Sequence, residues 1–192
     1  VGNLASISAS LKRVGAIPEI VSEIPDGDFD GLVIPGVGSY SAAYRKVAYE
    51  RSRIKRLAEE GCPILGICLG LQMMFSWSEE GNPGEEGLSF FKGVVRRLSC
   101  RRLPHIGWSS IEVDDGSTIL RGVENGSRMY FVHSYAPSEY DPEEAFAFAS
   151  HEGYRFPVVF EKENVFGTQF HPEKSWLPGL RVVSNFVDYC RR

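Results

Sequence analysis

The sequence predicts an α/β protein in which a three-layer, mostly parallel sheet is flanked by helices and carries antiparallel extensions. Three observations carry that expectation. Strand-like and helix-like segments alternate over roughly the first 80 residues, the pattern that parallel strands with helical crossovers require. Two short apolar runs, Gly31 to Ile34 and Pro63 to Ile67, have the unbroken character of strands covered on both faces. The 192 residues, 43% apolar and 12% aromatic, suffice for one full-sized core.

The elements follow in chain order. Leu4, Ile7, Leu11 and Val14 recur at steps of three and four, so Asn3 to Val14 is an amphipathic helix stopped by Gly15. Ile17 to Val21 is expected as a short strand. Gly31 to Ile34 is a buried strand cut off by Pro35-Gly36, and a helical stretch runs from about Ser41 to Glu60, where Gly61 ends it. Pro63 to Ile67 is a second buried strand, and Leu69 to Trp77 offers Leu71, Met74 and Phe75 as the face of a helix behind it. Glu79 to Gly87 is a loop rich in Gly and Glu. Strand-like runs follow at Gly93 to Leu98, Trp108 to Val113, Met129 to Tyr135 and Phe146 to Ala149. Val158 to Phe160 and Val165 to Phe170 flank the polar Glu161 to Asn164, a hairpin signal, and a helix from about Leu180 to Tyr189 closes the chain. No repeat or linker divides it, so residues 1–192 are expected to form a single domain.

Composition excludes several function classes. With 21 basic against 25 acidic residues the formal charge is −4, the opposite of the positive field that phosphate-backbone binding needs. No nucleic-acid partner is expected. No apolar run reaches the roughly 18 residues of a membrane span. Cys62, Cys68, Cys100 and Cys190 form no CxxC pair and no metal-ligand spacing with the four histidines, so a reducing, cytoplasmic setting is expected, without metal or organic cofactor. The opening VGNLAS has no secretory-signal character and reads as a start inside a fold, without its first strand.

Three strings can carry chemistry. In GICLG, Gly66 to Gly70, Cys68 stands between two glycines where a strand gives way to a helix, the arrangement of a nucleophile elbow. The glycines permit a tight turn that holds the thiol out of the sheet, and the following helix end favours the attacking thiolate. Cys62, Cys100 and Cys190 are read as packing residues. A thiol nucleophile needs a base and a group to orient it. In QFHPEKS, His171 follows an apolar strand and Glu173 lies two residues on; Pro172 is expected to keep the segment extended, with both side chains projecting to one side. The turn PGVG, Pro35 to Gly38, ends the other buried strand and should share the carboxyl edge of the sheet with Cys68. Backbone N–H groups near Val37 or Gly38, with that of Leu69, are candidates for an oxyanion hole. His105 and His151 are read as structural.

GICLG with a downstream HPE resembles the class I, triad-type glutamine amidotransferases, whose sheet is flavodoxin-like. PGVGSY at Pro35 to Tyr40, RRLPHIGW at Arg101 to Trp108 and YFVHSY at Tyr130 to Tyr135 narrow the resemblance, which runs end to end, to the glutaminase subunits of imidazole glycerol phosphate synthases. The resemblance implies that Cys68 forms a glutamyl thioester, that His171 moves the proton and that Glu173 orients it. It implies that Gly38, Gln72, His133, Ser134 and Tyr135 hold the glutamine head group. It also implies a partner, a (β/α)₈ cyclase as separate subunit or fused domain, which receives the ammonia and makes imidazole glycerol phosphate and AICAR in histidine biosynthesis. Asn3, Arg101, Arg102 and Trp108 are the expected contacts with it. Two departures stand out: no strand precedes Gly2-Asn3, and Ser109 replaces the asparagine usual after PHIGW. The alternatives are a glutaminase of the pyridoxal phosphate or anthranilate synthase type, a catalytically idle binding subunit, and a cysteine peptidase.

Overall fold

The computed structural model describes residues 2–36 and 38–192, the side chain of Asn3 excepted. The expected oxyanion residue Val37 and the expected interface side chain of Asn3 therefore lie outside the described residues. Helix α1 (Gly2–Arg13), strand β1 (Leu32–Pro35), helix α2 (Tyr40–Glu59), strand β2 (Ile64–Ile67) and the one-turn helix α3 (Leu69–Gln72) alternate. Strands β3 (Val94–Arg97), β4 (His105–Val113), β5 (Arg128–His133), β6 (Tyr135–Ser138), β7 (Ala145–His151), β8 (Tyr154–Lys162) and β9 (Val165–Thr168) follow, and helix α4 (Trp176–Cys190) closes the fold.

Seven strands form a mixed sheet in the order β1-β2-β9-β8-β7-β4-β5, and β3 pairs with β6 in a small second sheet. The parallel part is β1, β2 and β9. The antiparallel extension, β9 through β8, β7 and β4 to β5, is larger than the sequence foretold. Its alternation is blurred because β8 is buried over most of its length, as central strands are. Along β2, Ile64 faces one side, and Leu65 and Ile67 face the other. Leu65 and Ile67 meet Ile7 and Leu11 of α1 and Val183, Phe186 and Val187 of α4. Ile64 packs with Tyr40, Val47 and Ile54 of α2 and with Leu71 and Phe160. Helices on both faces make the three layers, each fully buried Leu, Ile or Phe contributing about 1.5–3 kcal/mol.

Four local expectations change. Ile17 to Val21 is not a strand: Ile17 is fully exposed, Ile20 and Val21 are also exposed, and this segment borders a groove of about 600 Å³ together with Leu4, Ile7 and Val33. A strand exists only where a neighbour takes its hydrogen bonds, and β1 is the edge of the sheet on that side among the described residues. The helix expected from Leu69 to Trp77 ends at Gln72, because the carbonyls of Met73, Met74 and Phe75 accept N–H groups of Leu88, Phe90 and Ser89 from the following loop. The β8–β9 hairpin is tighter than expected, with Lys162 opposite Val165 and Glu163 at φ +53° in the turn. Finally, α4 begins a turn earlier, since Pro178 falls in the first turn, where its missing N–H has no helical partner to lose.

Candidate active site

The sheet order brings the two chemical strings together. Strands β2 and β9 are parallel neighbours, in register from Ile64 opposite Val165 to Ile67 opposite Thr168. Cys68 is the next residue on one strand, and Gln169, Phe170 and His171 continue from the other. The Cys68 N–H donates to the Thr168 carbonyl at 2.6 Å, fixing the elbow to the end of β9.

Cys68 itself has φ +54° and ψ −106°, a conformation costing about 1–3 kcal/mol for a residue with a side chain. The glycines around it are required by contact. A Cβ on Gly66 would lie 2.7 Å from the Gly70 backbone, and one on Gly70 would collide with the Ile34 carbonyl oxygen. The elbow is thus pressed against β1 and the turn after it. Gly36 of that turn lies against the Leu69 N–H, so the PGVG turn and the elbow do share one edge. Gly38 is exposed, with φ +86°. Because α3 is a single turn, the field of its N-terminus is weaker than a full helix would supply.

The Cys68 side chain is 8% exposed, with its sulfur 3.8 Å from the Val132 carbonyl and 3.7 Å from the Gln169 Nε2. Across from it, His171 Nδ1 meets Glu173 Oε1 at 2.9 Å, both side chains 2% exposed. The segment between them is not extended, as expected, but a 3₁₀ turn, Pro172–Lys174, with Pro172 at its first position. Proline's fixed φ suits a helical start, and the turn still delivers Glu173 to the ring. The His171 N–H donates to the Tyr130 carbonyl, and Ser175 Oγ ties the His171 carbonyl to the Tyr130 N–H, so β5 holds the whole turn. His171 Nε2 is buried and makes no hydrogen bond within the protein; the Cys68 sulfur lies within its electrostatic reach though outside hydrogen-bond geometry. Burial by itself would lower this imidazole's pKa, but Cys68 and Glu173 outweigh it and raise it to about 9.

The expected head-group residues divide. Gln72 is buried, its amide nitrogen donating to the Tyr135 carbonyl at 2.9 Å and to Gln169 Oε1 at 3.1 Å. The Ser134 carbonyl accepts from the Leu98 N–H. The two ring nitrogens of His133 meet the Tyr135 carbonyl at 2.9 Å and His105 Nδ1 at 3.1 Å. Gln169, beside the sulfur, was missed in the sequence, although it stands in the QFHPE string.

Near this site, Trp108 and Ile106 on β4 are exposed, as are Trp176, at 79%, and Leu177 on α4. The Trp108 ring lies 5.8 Å from that of Tyr130 and 6.4 Å from that of Trp176, so the patch adjoins β5, the strand that holds the His171 turn. Neither Trp176 nor Leu177 stood out in the sequence, because each is an ordinary apolar residue at a helix start. Of the expected contact residues, Arg102 pairs with Glu152 at 3.4 Å.

Comparison with known proteins agrees with this geometry. The family model for glutamine amidotransferase class-I matches residues 3–189. The imidazole glycerol phosphate synthase subunit HisH of Halobacterium salinarum is 42% identical over 98% of this chain and 89% of its own length. That of Pyrococcus furiosus is 42% identical over 97% and 93%. Among solved structures, a glutamine amidotransferase superposes with a TM-score of 0.76 at 20% identity, covering 98% of this chain and 94% of its own. PurLQS from Thermotoga maritima gives 0.73 at 21%, covering 96% and 92%, and both share the fold. The chain therefore belongs to the class I glutamine amidotransferase family and, within it, to the HisH subunits of imidazole glycerol phosphate synthase.

Proposed function

We propose that this chain is a single glutaminase domain that hydrolyses glutamine to glutamate and ammonia and passes the ammonia to a cyclase partner for imidazole glycerol phosphate synthesis. The observation that carries the reading is the strained Cys68 beside the buried His171–Glu173 pair, at the ends of two adjacent parallel strands. The Cys68 thiolate attacks the side-chain amide carbon, and the carbonyl oxygen gathers negative charge. The Leu69 N–H and N–H groups of the Val37-Gly38 turn are the proposed donors to that oxygen; losing one such donor typically costs ~3–4 kcal/mol. As the intermediate collapses the C–N bond breaks, and the nitrogen leaves as ammonia with a proton from His171 Nε2. His171 then takes a proton from water, whose oxygen opens the thioester and releases glutamate. Glu173 holds the ring by Nδ1, so Nε2 is the atom that faces the reaction. Gly38, Gln72, Ser134 and Tyr135 form the proposed pocket wall for the amino-acid head.

The exposed face of Ile106, Trp108, Trp176 and Leu177 supports docking of a (β/α)₈ cyclase, flanked by Arg101 and Arg102. Aromatic and aliphatic side chains left in water beside the catalytic strand gain most from a partner that covers them, and a covered site spares ammonia from protonation in bulk water. No described helix is long and apolar enough to cross a membrane; the four free thiols support a reducing, cytoplasmic setting. The test is glutamate release by the chain alone, with a cognate cyclase, and with cyclase plus its nucleotide ligand, against Cys68→Ala. Stimulation by the cyclase is expected. No release under any condition would identify an idle binding subunit instead.

A further inference from the structure

Three of the four histidines sit together beneath the exposed face of β4, outside the triad. His105 and His133 are directly opposite in the β4–β5 ladder, 3% and 6% exposed. Ser109 lies on the same side of β4 as His105, four residues on, and Gly107 between them carries no side chain to separate them. Trp108 points to the other side. Ser109 Oγ is 2.8 Å from His105 Nε2, and His105 Nδ1 is 3.1 Å from His133 Nε2. His133 Nδ1 is 2.9 Å from the Tyr135 carbonyl.

The direction of these bonds is fixed by their last member. A carbonyl only accepts, so His133 Nδ1 carries the hydrogen. Burial lowers the His133 pKa to about 3, and burial with repulsion from His151 lowers that of His105 to about 4, so both rings are neutral near pH 7. A neutral His133 then offers a lone pair at Nε2, His105 donates from Nδ1, and His105 Nε2 accepts from the Ser109 hydroxyl. The chain of bonds continues past Tyr135. The same carbonyl accepts the Gln72 amide, Gln72 donates also to Gln169, and Gln169 Nε2 faces the Cys68 sulfur at 3.7 Å.

We infer that His105 and His133 are positioning residues: a one-way chain of hydrogen bonds from Ser109 ends on the Tyr135 carbonyl and fixes the acceptor that holds Gln72, which in turn aims the Gln169 amide at Cys68. The role assigned to the thiol rests on the glutaminase reading above; the relay itself is a property of this packing. Were His133 to lose its donor, the ring could turn its unprotonated nitrogen towards the carbonyl, and repulsion between the two lone pairs would displace the oxygen that accepts the Gln72 amide. The hydrogen bonds facing the sulfur would then loosen.

Two measurements test this on the full chain. In ¹⁵N-histidine-labelled protein at pH 7, long-range ¹H–¹⁵N spectra are expected to show both His105 and His133 as Nδ1–H tautomers. An Nε2–H tautomer or an imidazolium at either ring would overturn the relay. The second follows alkylation of Cys68 by iodoacetamide, read on the Cys68 peptide by mass spectrometry. His105→Phe keeps the ring stacking and removes the donor, and is expected to slow alkylation about fivefold, the worth of one hydrogen bond. His105→Asn places an amide N–H where Nδ1 stood, and is expected to restore the rate to within about twofold. An unchanged rate in the Phe variant, or equal slowing in both, would reject the positioning role. Labelling of unmodified Cys68 by an electrophilic glutamine analogue separates the two claims: its failure would sink the glutaminase reading and leave the tautomers standing.

Discussion

The elbow at Cys68 and the segment Ile17 to Val21 are equally short and apolar, yet one is among the most constrained parts of the molecule and the other lies open to solvent. Strand β2 feeds the elbow from between two neighbours, β1 and β9, and its residues are buried on both faces. Ile17 to Val21 has no strand beside it and lines a groove instead. Apolar character supplies the tendency to form a strand; hydrogen-bonded neighbours on both sides convert it into a rigid platform able to hold a strained nucleophile.

That contrast can be broken at several points, the largest effect coming from the chemistry itself. Cys68→Ala should abolish glutamate release in the cyclase complex. His171→Ala should lower it by roughly 10³-fold or more while circular dichroism stays unchanged, as for other groups that act as a unit. A His171 variant with near-normal turnover would remove the triad assignment. Next is the support of the elbow. Gly70→Ala drives a Cβ into the Ile34 carbonyl and is expected to cost about 3 kcal/mol or to prevent folding, while Gly153→Ala, whose Cβ meets nothing within 4 Å, pays only for its positive φ. Thermal denaturation of the two variants ranks them.

Core against edge gives the third pair. Leu65→Ala empties a fully buried position in β2 and should cost 2–5 kcal/mol in urea denaturation, typical of such truncations (about that range). Ile17→Ala should stay within about 0.5 kcal/mol, and a larger loss would mean that the segment is packed in solution.

A further contrast is in pH. His105 and His133 have lowered pKa values, so from about 6.5 downward the unfolded chain binds protons that the native rings refuse. Each ring should lower stability by about 2 kcal/mol between pH 7 and pH 5, about 4 kcal/mol for the two, and a flat profile would place both rings in contact with water. His171 works in the other sense: its raised value stabilises the native state fully below about 6.5, and that contribution disappears as pH rises through about 9. Urea denaturation from pH 5 to pH 10 reads both limbs.

Much of the site was legible because its requirements are local. The GxCxG string announced a tight turn at Cys68, and a Cβ at Gly66 would meet the Gly70 backbone of that same turn, whereas the need for glycine at position 70 comes from the neighbouring Ile34 carbonyl. The His171–Glu173 pairing was equally local, even though the segment folds as a 3₁₀ turn and not as the extended chain expected. Residues whose role depends on what crosses them from another strand were read poorly. Nothing in the sequence showed that His105 and His133 touch until the β4–β5 register set them face to face. Gln169 stood unread in the QFHPE string, and Trp176 carried no local signal.

By itself the sequence determined the alternating architecture, the elbow at Cys68 and the His171–Glu173 pair, because apolar periodicity, glycine and a two-residue spacing act over a few bonds. Only the tertiary structure decided the size of the antiparallel extension, the end of α3 at Gln72 and the failure of Ile17 to Val21 to form a strand. Those outcomes depend on which distant backbone group accepts or refuses a hydrogen bond.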